Sequence, residues 1–172
     1  MIGLDSVIDN LNDAFTRRLF PNVPTERKVY NGRVFPIKKD DVLKPCIFTS
    51  GKDYKDVLFN DSQYLNVFYD VQDEETEISI YDSSVDIEVG VVIVANLAML
   101  YPDAINRPVE ELLSDFKQVF LIVPSTWEVK LFIRGFKALG QYDNDELKRS
   151  LNMQPLHILR INTKVKYLLN NC

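Results

Sequence analysis

The sequence predicts an α+β fold: an antiparallel β-sheet with two amphipathic helices packed on one face, plus a long irregular arm. Three observations carry that expectation. Apolar residues recur at three- and four-residue steps over residues 4–19 and 108–120, the period of a half-buried helix. From Val85 to Leu97 they fall on every second position, the longest such run in the chain, as one face of a strand requires. The β-prone runs in the centre follow one another through short polar turns, which favours antiparallel pairing. A chain of 172 residues suits a single domain, 1–172, and no linker divides it.

Leu4, Val7, Ile8, Leu11, Phe15 and Leu19 define an N-terminal helix within residues 1–20. Asp5 or Ser6 stands where a side chain can accept from the free N–H groups of the first turn, and Arg17 and Arg18 suit the negative end. Pro21 and Pro24 stop it. Arg27 to Phe35 holds Asn31-Gly32 between two β-prone runs, the pattern of a two-stranded hairpin with a type I′ turn. Residues 36–63 read as an extended loop or arm, with Lys38 to Asp41 bracketed by Pro36 and Pro45. Loops of that length are uncommon in a compact domain. Its apolar content, including Phe35, Ile37, Phe48, Tyr54, Val57 and Phe59, is high for solvated chain and points to contact with a neighbouring subunit, the alternative being that it closes over the subunit's own core.

Residues 64–98 hold the central strands. Leu65, Val67, Tyr69 and Val71 share a face, residues 72–75 make an acidic turn, and Ile78 and Ile80 return as the next strand. The Val85–Leu97 strand becomes apolar on its opposite face at Val92 and Val94, which places it centrally. A second helix spans 106–122, capped by Asn106 or Arg107, with Pro108, Glu110 and Glu111 in its first turn and Pro124 closing it. Glu128 to Arg134 alternates through Val129, Leu131 and Ile133, and Asp143 to Leu151 forms a short helix. A C-terminal strand, 156–170, puts Leu159, Ile161, Thr163, Val165, Tyr167 and Leu169 on one face and Arg160, Asn162, Lys164 and Lys166 on the other. Val89, Val91, Ile93, Leu112, Phe116, Ile161 and Val165 are expected in one core.

Composition narrows the function classes. Twenty Lys and Arg against 25 Asp and Glu, a net charge of −5, argues against affinity for phosphate backbone over the whole surface. Cys46 and Cys172 are too few for a disulfide framework and fit a reducing compartment, while a single histidine, His157, removes most zinc-site and triad arrangements. The start of the chain lacks the pattern of a signal peptide, and no apolar run reaches the ~20 residues that span a bilayer, so a soluble cytoplasmic protein with no membrane contact is expected.

Motifs are weak. Gly51-Lys52 lacks the earlier glycine of a phosphate loop, and Asp53 stands where Ser or Thr would bind magnesium. Asp70, Asp73, Glu74, Glu75 and Glu77 lack EF-hand spacing and read as a solvated hairpin tip. Cys46 and His157 read as structural, with Cys46-Ile47-Phe48 a short buried strand. Two basic groups, Arg160 with Lys164 and Lys166, and Arg17 and Arg18 with Arg27 and Lys28, read as solvated or inter-subunit faces. No catalytic, cofactor-binding or metal-binding residue is expected; the alternative is a small motif-less enzyme or adaptor module.

The order of elements resembles the tail-terminator and head–tail connector (neck, ring) proteins of tailed bacteriophages. The matching parts are Leu4–Leu19, the strands Leu65–Val71 and Val85–Leu97, the helix Pro108–Phe120, and Leu156–Leu169. Ile93-Val94-Ala95-Asn96-Leu97 with Leu100-Tyr101-Pro102 before Arg107, and Met153-Gln154-Pro155-Leu156-His157-Ile158-Leu159-Arg160, resemble strings in phage neck proteins. The resemblance implies a virion protein, made in the host bacterial cytoplasm, that forms a homo-oligomeric ring. Sixfold symmetry goes with terminators and twelvefold with connector rings. It further implies contacts with portal, connector or tail proteins, and a lumen that passes DNA without specific binding.

Overall fold

The alternating segment at residues 84–96 forms an interior strand of the sheet, because both of its faces are apolar over the second half. The structure, a computed structural model, describes residues 3–49, 51, 53–58, 62–71, 77–79, 84–123, 126–142 and 156–168. In chain order the elements are α1 (Leu4–Arg18), β1 (Lys28–Lys39), β2 (Val42–Phe48), β3 (Tyr54–Asp56), β4 (Leu65–Val71), β5 (Glu77–Ser79), β6 (Ser84–Asn96), α2 (Leu97–Leu100), α3 (Val109–Ile122), β7 (Trp127–Arg134) and β8 (Leu156–Leu168). Short 3-10 turns occupy Thr25–Arg27 and Gly135–Leu139. The fold is α+β, as the periodicities require.

Across the sheet the strands run β3-β2-β1-β4-β6-β8-β7, with β5 also paired to β6. All described neighbours are antiparallel except β1 and β4. That exception follows from the chain path: β1 turns outward into β2 and β3, and the chain then returns to the inner side of β1. β6 and β7 both oppose β8 and so run the same way. Their connection carries α2 and α3, the helical crossover that strands of one direction need. β8, though last in the chain, fills the slot between them.

Alternation gives the sheet two cores. The odd-numbered positions of β6 from Ile87 to Ala95 share one with Leu65, Val67 and Tyr69 of β4, Leu159 and Ile161 of β8, and the stripes of α1 and α3. All seven residues expected in one core belong to it. Phe15 joins the helices, its ring centroid 5.1 Å from Phe116 and 5.8 Å from Phe120. Val92 and Val94 point the other way, into a smaller core with Phe68, Ile158, Ala138, Leu139 and Tyr142.

Several local expectations are corrected. Asn31-Gly32 makes no hairpin: neither residue has the positive φ of a type I′ turn, and β1 runs straight through. One extra residue between Tyr30 and Arg33 forms a β-bulge against β4. It is fixed by Asn31, whose Nδ2 donates to Asn66 Oδ1 at 2.7 Å and whose carbonyl accepts from Asn12 Nδ2 at 3.0 Å. The hairpin turn lies at Asp40-Asp41, with φ of 50° and 62° and Lys39 opposite Val42. The stretch 36–63 is therefore no loop over most of its described length, since it completes β1 and supplies β2 and β3. β5 does not fold back on β4; both pair with the same edge of β6 in the same sense. In β7 a bulge between Val129 and Leu131 breaks the alternation, so Val129 and Phe132 face the first core, Ile133 the second, and Leu131 solvent.

Helix ends differ as well. Gly3 occupies the N-cap of α1, and Pro108 that of α3, each without a side-chain cap bond. At the far end of α1, Lys28 Nζ donates to the carbonyls of Leu19 (3.1 Å) and Phe20 (2.9 Å). The acidic segment 72–75, Ile80, Pro124, the helix at 143–151, Met153 to Pro155, Leu169 and Cys172 lie outside the described residues.

Candidate functional site

The chemistry-bearing side chains in the interior tie the fold together. Asp70 on β4 and Arg160 on β8 are both buried, with side-chain exposures of 7% and 4%, and Arg160 Nη1 donates to Asp70 Oδ2 at 2.8 Å. Neither belongs to a solvated acidic tip or basic face. They meet because β6, the strand between them, carries Gly90 at that level, leaving room for the guanidinium to lie across it. Asn162 Oδ1 accepts from Arg160 Nε, and the Tyr142 hydroxyl donates to Asp70 Oδ1, each at 2.8 Å. A buried ion pair is tolerable only when its remaining hydrogen-bonding capacity is met, as these neighbours do here. Burial, with the Asp70 carboxylate beside it, holds the Tyr142 phenol protonated well above its usual range.

A second polar chain crosses the sheet. Tyr69 OH donates to Asn12 Oδ1 at 2.6 Å, Asn12 and Asn66 both bond Asn31, and Asn66 Nδ2 donates to the Val57 carbonyl. Cys46 is buried, which raises its thiol pKa and disfavours the reactive thiolate. His157 is buried with Nε2 lacking a hydrogen-bond partner, and desolvation, with the charges of Arg107 and Arg134, lowers its pKa to about 4. Cys46 and His157 stand on β2 and β8, strands separated in the sheet by β1, β4 and β6. Among the described residues no three or more His, Cys, Asp and Glu side chains gather as a metal cluster, and no helix is long and apolar enough to cross a membrane.

The expected basic groups disperse. Lys28 is internal, and Arg27 donates to the Ser62 carbonyl at 2.7 Å while lying over the Tyr64 ring. Lys164 pairs with Asp86 at 3.4 Å.

Part of what the interior does not use lies at the two ends of the sheet, while Ile105, Leu121 and Ile122 stand exposed on the α2–α3 connection and at the end of α3. No described strand covers the outer edge of β3 or of β7. At the β3 end, Phe48 is 55% exposed and Tyr54 40%, and with Phe35 they form edge-to-face pairs at 5.6 and 6.0 Å around Tyr54. These rings, with the start of α1 and the Asn31-Gly32 bulge, line a cavity of about 380 Å³ that also holds Asp5, Asp9 and Arg33. The Arg33 guanidinium lies 4.9 Å from the Phe35 centroid, and its Nε is 4.0 Å from Asp5 Oδ1. At the β7 end, Leu131 is 54% exposed and Phe136 protrudes from the following 3-10 turn. The apolar excess of the arm was legible in sequence. The exposed Leu131 was not, because a bulge leaves no mark in the alternation of residue types.

No protein-family model, curated protein or solved structure matches the chain.

Proposed function

We propose that the chain is a structural virion protein, a subunit of a homo-oligomeric ring of the phage head–tail connector, neck or tail terminator. In this role it joins the head or portal to the tail and works by assembly, with DNA passing through the lumen and no residue acting as a catalyst. The supporting observation is the pair of unlike open sheet ends, aromatic at β3 and aliphatic-aromatic at β7. A head-to-tail contact joins two different surfaces, and when its rotation closes it makes a ring. Surface apolar side chains, grouped as Phe35, Phe48 and Tyr54 are, mark association sites more often than bare solvent-facing surface. A net charge of −5 accords with a channel that lets DNA pass.

Solution mass tests the proposal. Sedimentation across a range of protein concentrations, followed by negative-stain imaging, is expected to give closed rings of six or twelve copies with a central hole. A monomer at every concentration would overturn it.

A further inference from the structure

The cavity beside the first turns of α1 combines two features. Its walls carry the aromatic rings of Phe35, Phe48 and Tyr54, and its rim carries the carboxylates of Asp5 and Asp9, one helical turn apart. The space over Gly32 is open, since a Cβ there would meet nothing within 4 Å. Arg33 already places one cation over a ring, and the two carboxylates outweigh it.

We propose that this cavity receives a lysine side chain from the β7 end of a second copy of the chain, which deepens and rests on the ring assignment above. An ammonium group is attracted by the negative faces of aromatic rings and by carboxylates alike, so the site suits a cation on an apolar stem. The other end of the sheet offers that chemistry. The β7 bulge turns Lys130 and Leu131 outward together, and Phe136 and Lys137 stand exposed on the next turn. Lys130 pairs there with Glu128 in an exposed ion pair, and such a contact is exchanged at little cost. The same molecule cannot fill its own cavity: six strand steps separate β3 from β7, about 29 Å at the usual spacing. The acidic aromatic cavity of one copy therefore meets the lysine-bearing β7 end of the next.

Charge reversal tests the junction. Asp5→Lys/Asp9→Lys and, separately, Lys130→Glu/Lys137→Glu are compared with the parent and with all four changes combined. Each is followed by sedimentation at low and high salt, with thermal melting to verify the fold. The expected result is loss of the ring in each pair of changes, with subunit affinity down by about tenfold or more, and its return in the combined variant. Rings in the parent and in both reversed variants would overturn this junction and leave the ring assignment standing. Loss in the pairs without return in the combination would also overturn it. A parent that stays monomeric throughout would remove the ring assignment and this junction together.

Discussion

At Gly90 a methyl group would fall on the Arg160 guanidinium, so the smallest possible substitution collides with a buried ion pair. Gly90→Ala should cost about 1–3 kcal/mol, the range for overpacking, read as a lowered urea midpoint. Asp70→Ala leaves Arg160 charged and unpaired in the interior and should cost about 3–5 kcal/mol. Replacing both partners by leucine should cost less than the sum of the two single changes, because no orphaned charge remains. His157 gives a pH dependence. Its folded pKa of about 4 lies below the ordinary 6.5, so the unfolded chain takes up its proton first as pH falls. The stability tied to its neutral form is complete above pH 6.5 and is lost as pH drops towards 4. His157→Leu should flatten the stability curve across that window, and an unchanged slope in denaturant melts at pH 4.5 and 6.5 would refute this.

At the scale of elements, the turn between β1 and β2 holds two aspartates in left-handed backbone, which favours asparagine and glycine. Asp40→Asn/Asp41→Gly should raise stability by about 0.5–1 kcal/mol, even with loss of the exposed Lys38–Asp41 pair. Ile93→Ala and Phe116→Ala, at fully buried positions, should each cost about 2–5 kcal/mol. The elements that periodicity revealed are those that give an unbroken periodic face to the first core: α1, α3, β4, β6 and β8. The hairpin was misplaced because Asn31-Gly32 satisfies a turn and a bulge equally well, and only the partners Asn12 and Asn66, distant in sequence, decide between them. Of β2 only the Cys46-Ile47-Phe48 end is legible as strand; its first half is masked by Pro36 and Pro45, which usually break strands but here stand opposite each other in the ladder. Arg160 looked like a surface cation because its partner lies ninety residues away, on a strand that touches β8 only across β6. The acidic aromatic cavity is likewise assembled from α1, β1, β2 and β3, and no single segment announces it.

For the whole molecule, Phe48→Ser/Tyr54→Ser should separate assembly from folding. Both side chains are exposed and lie outside the two cores, so the melting temperature should stay close to that of the parent while the mass in solution falls to that of one chain. A ring that survives the double change would show that the β3 end is not a contact surface. The position of β8 bears on how such a molecule is made. It comes after every other described strand yet sits inside the sheet, against the whole length of β6. A ribosome adds roughly 5–20 residues per second, so β6 emerges seconds before the strand that will cover it. During that interval a long, strongly apolar edge is bare, the condition under which nascent chains stick to one another. Synthesis therefore passes through a vulnerable stage that ends only when β8 slides into place, and yield on overexpression should depend on chaperone supply more than the finished protein's stability would suggest.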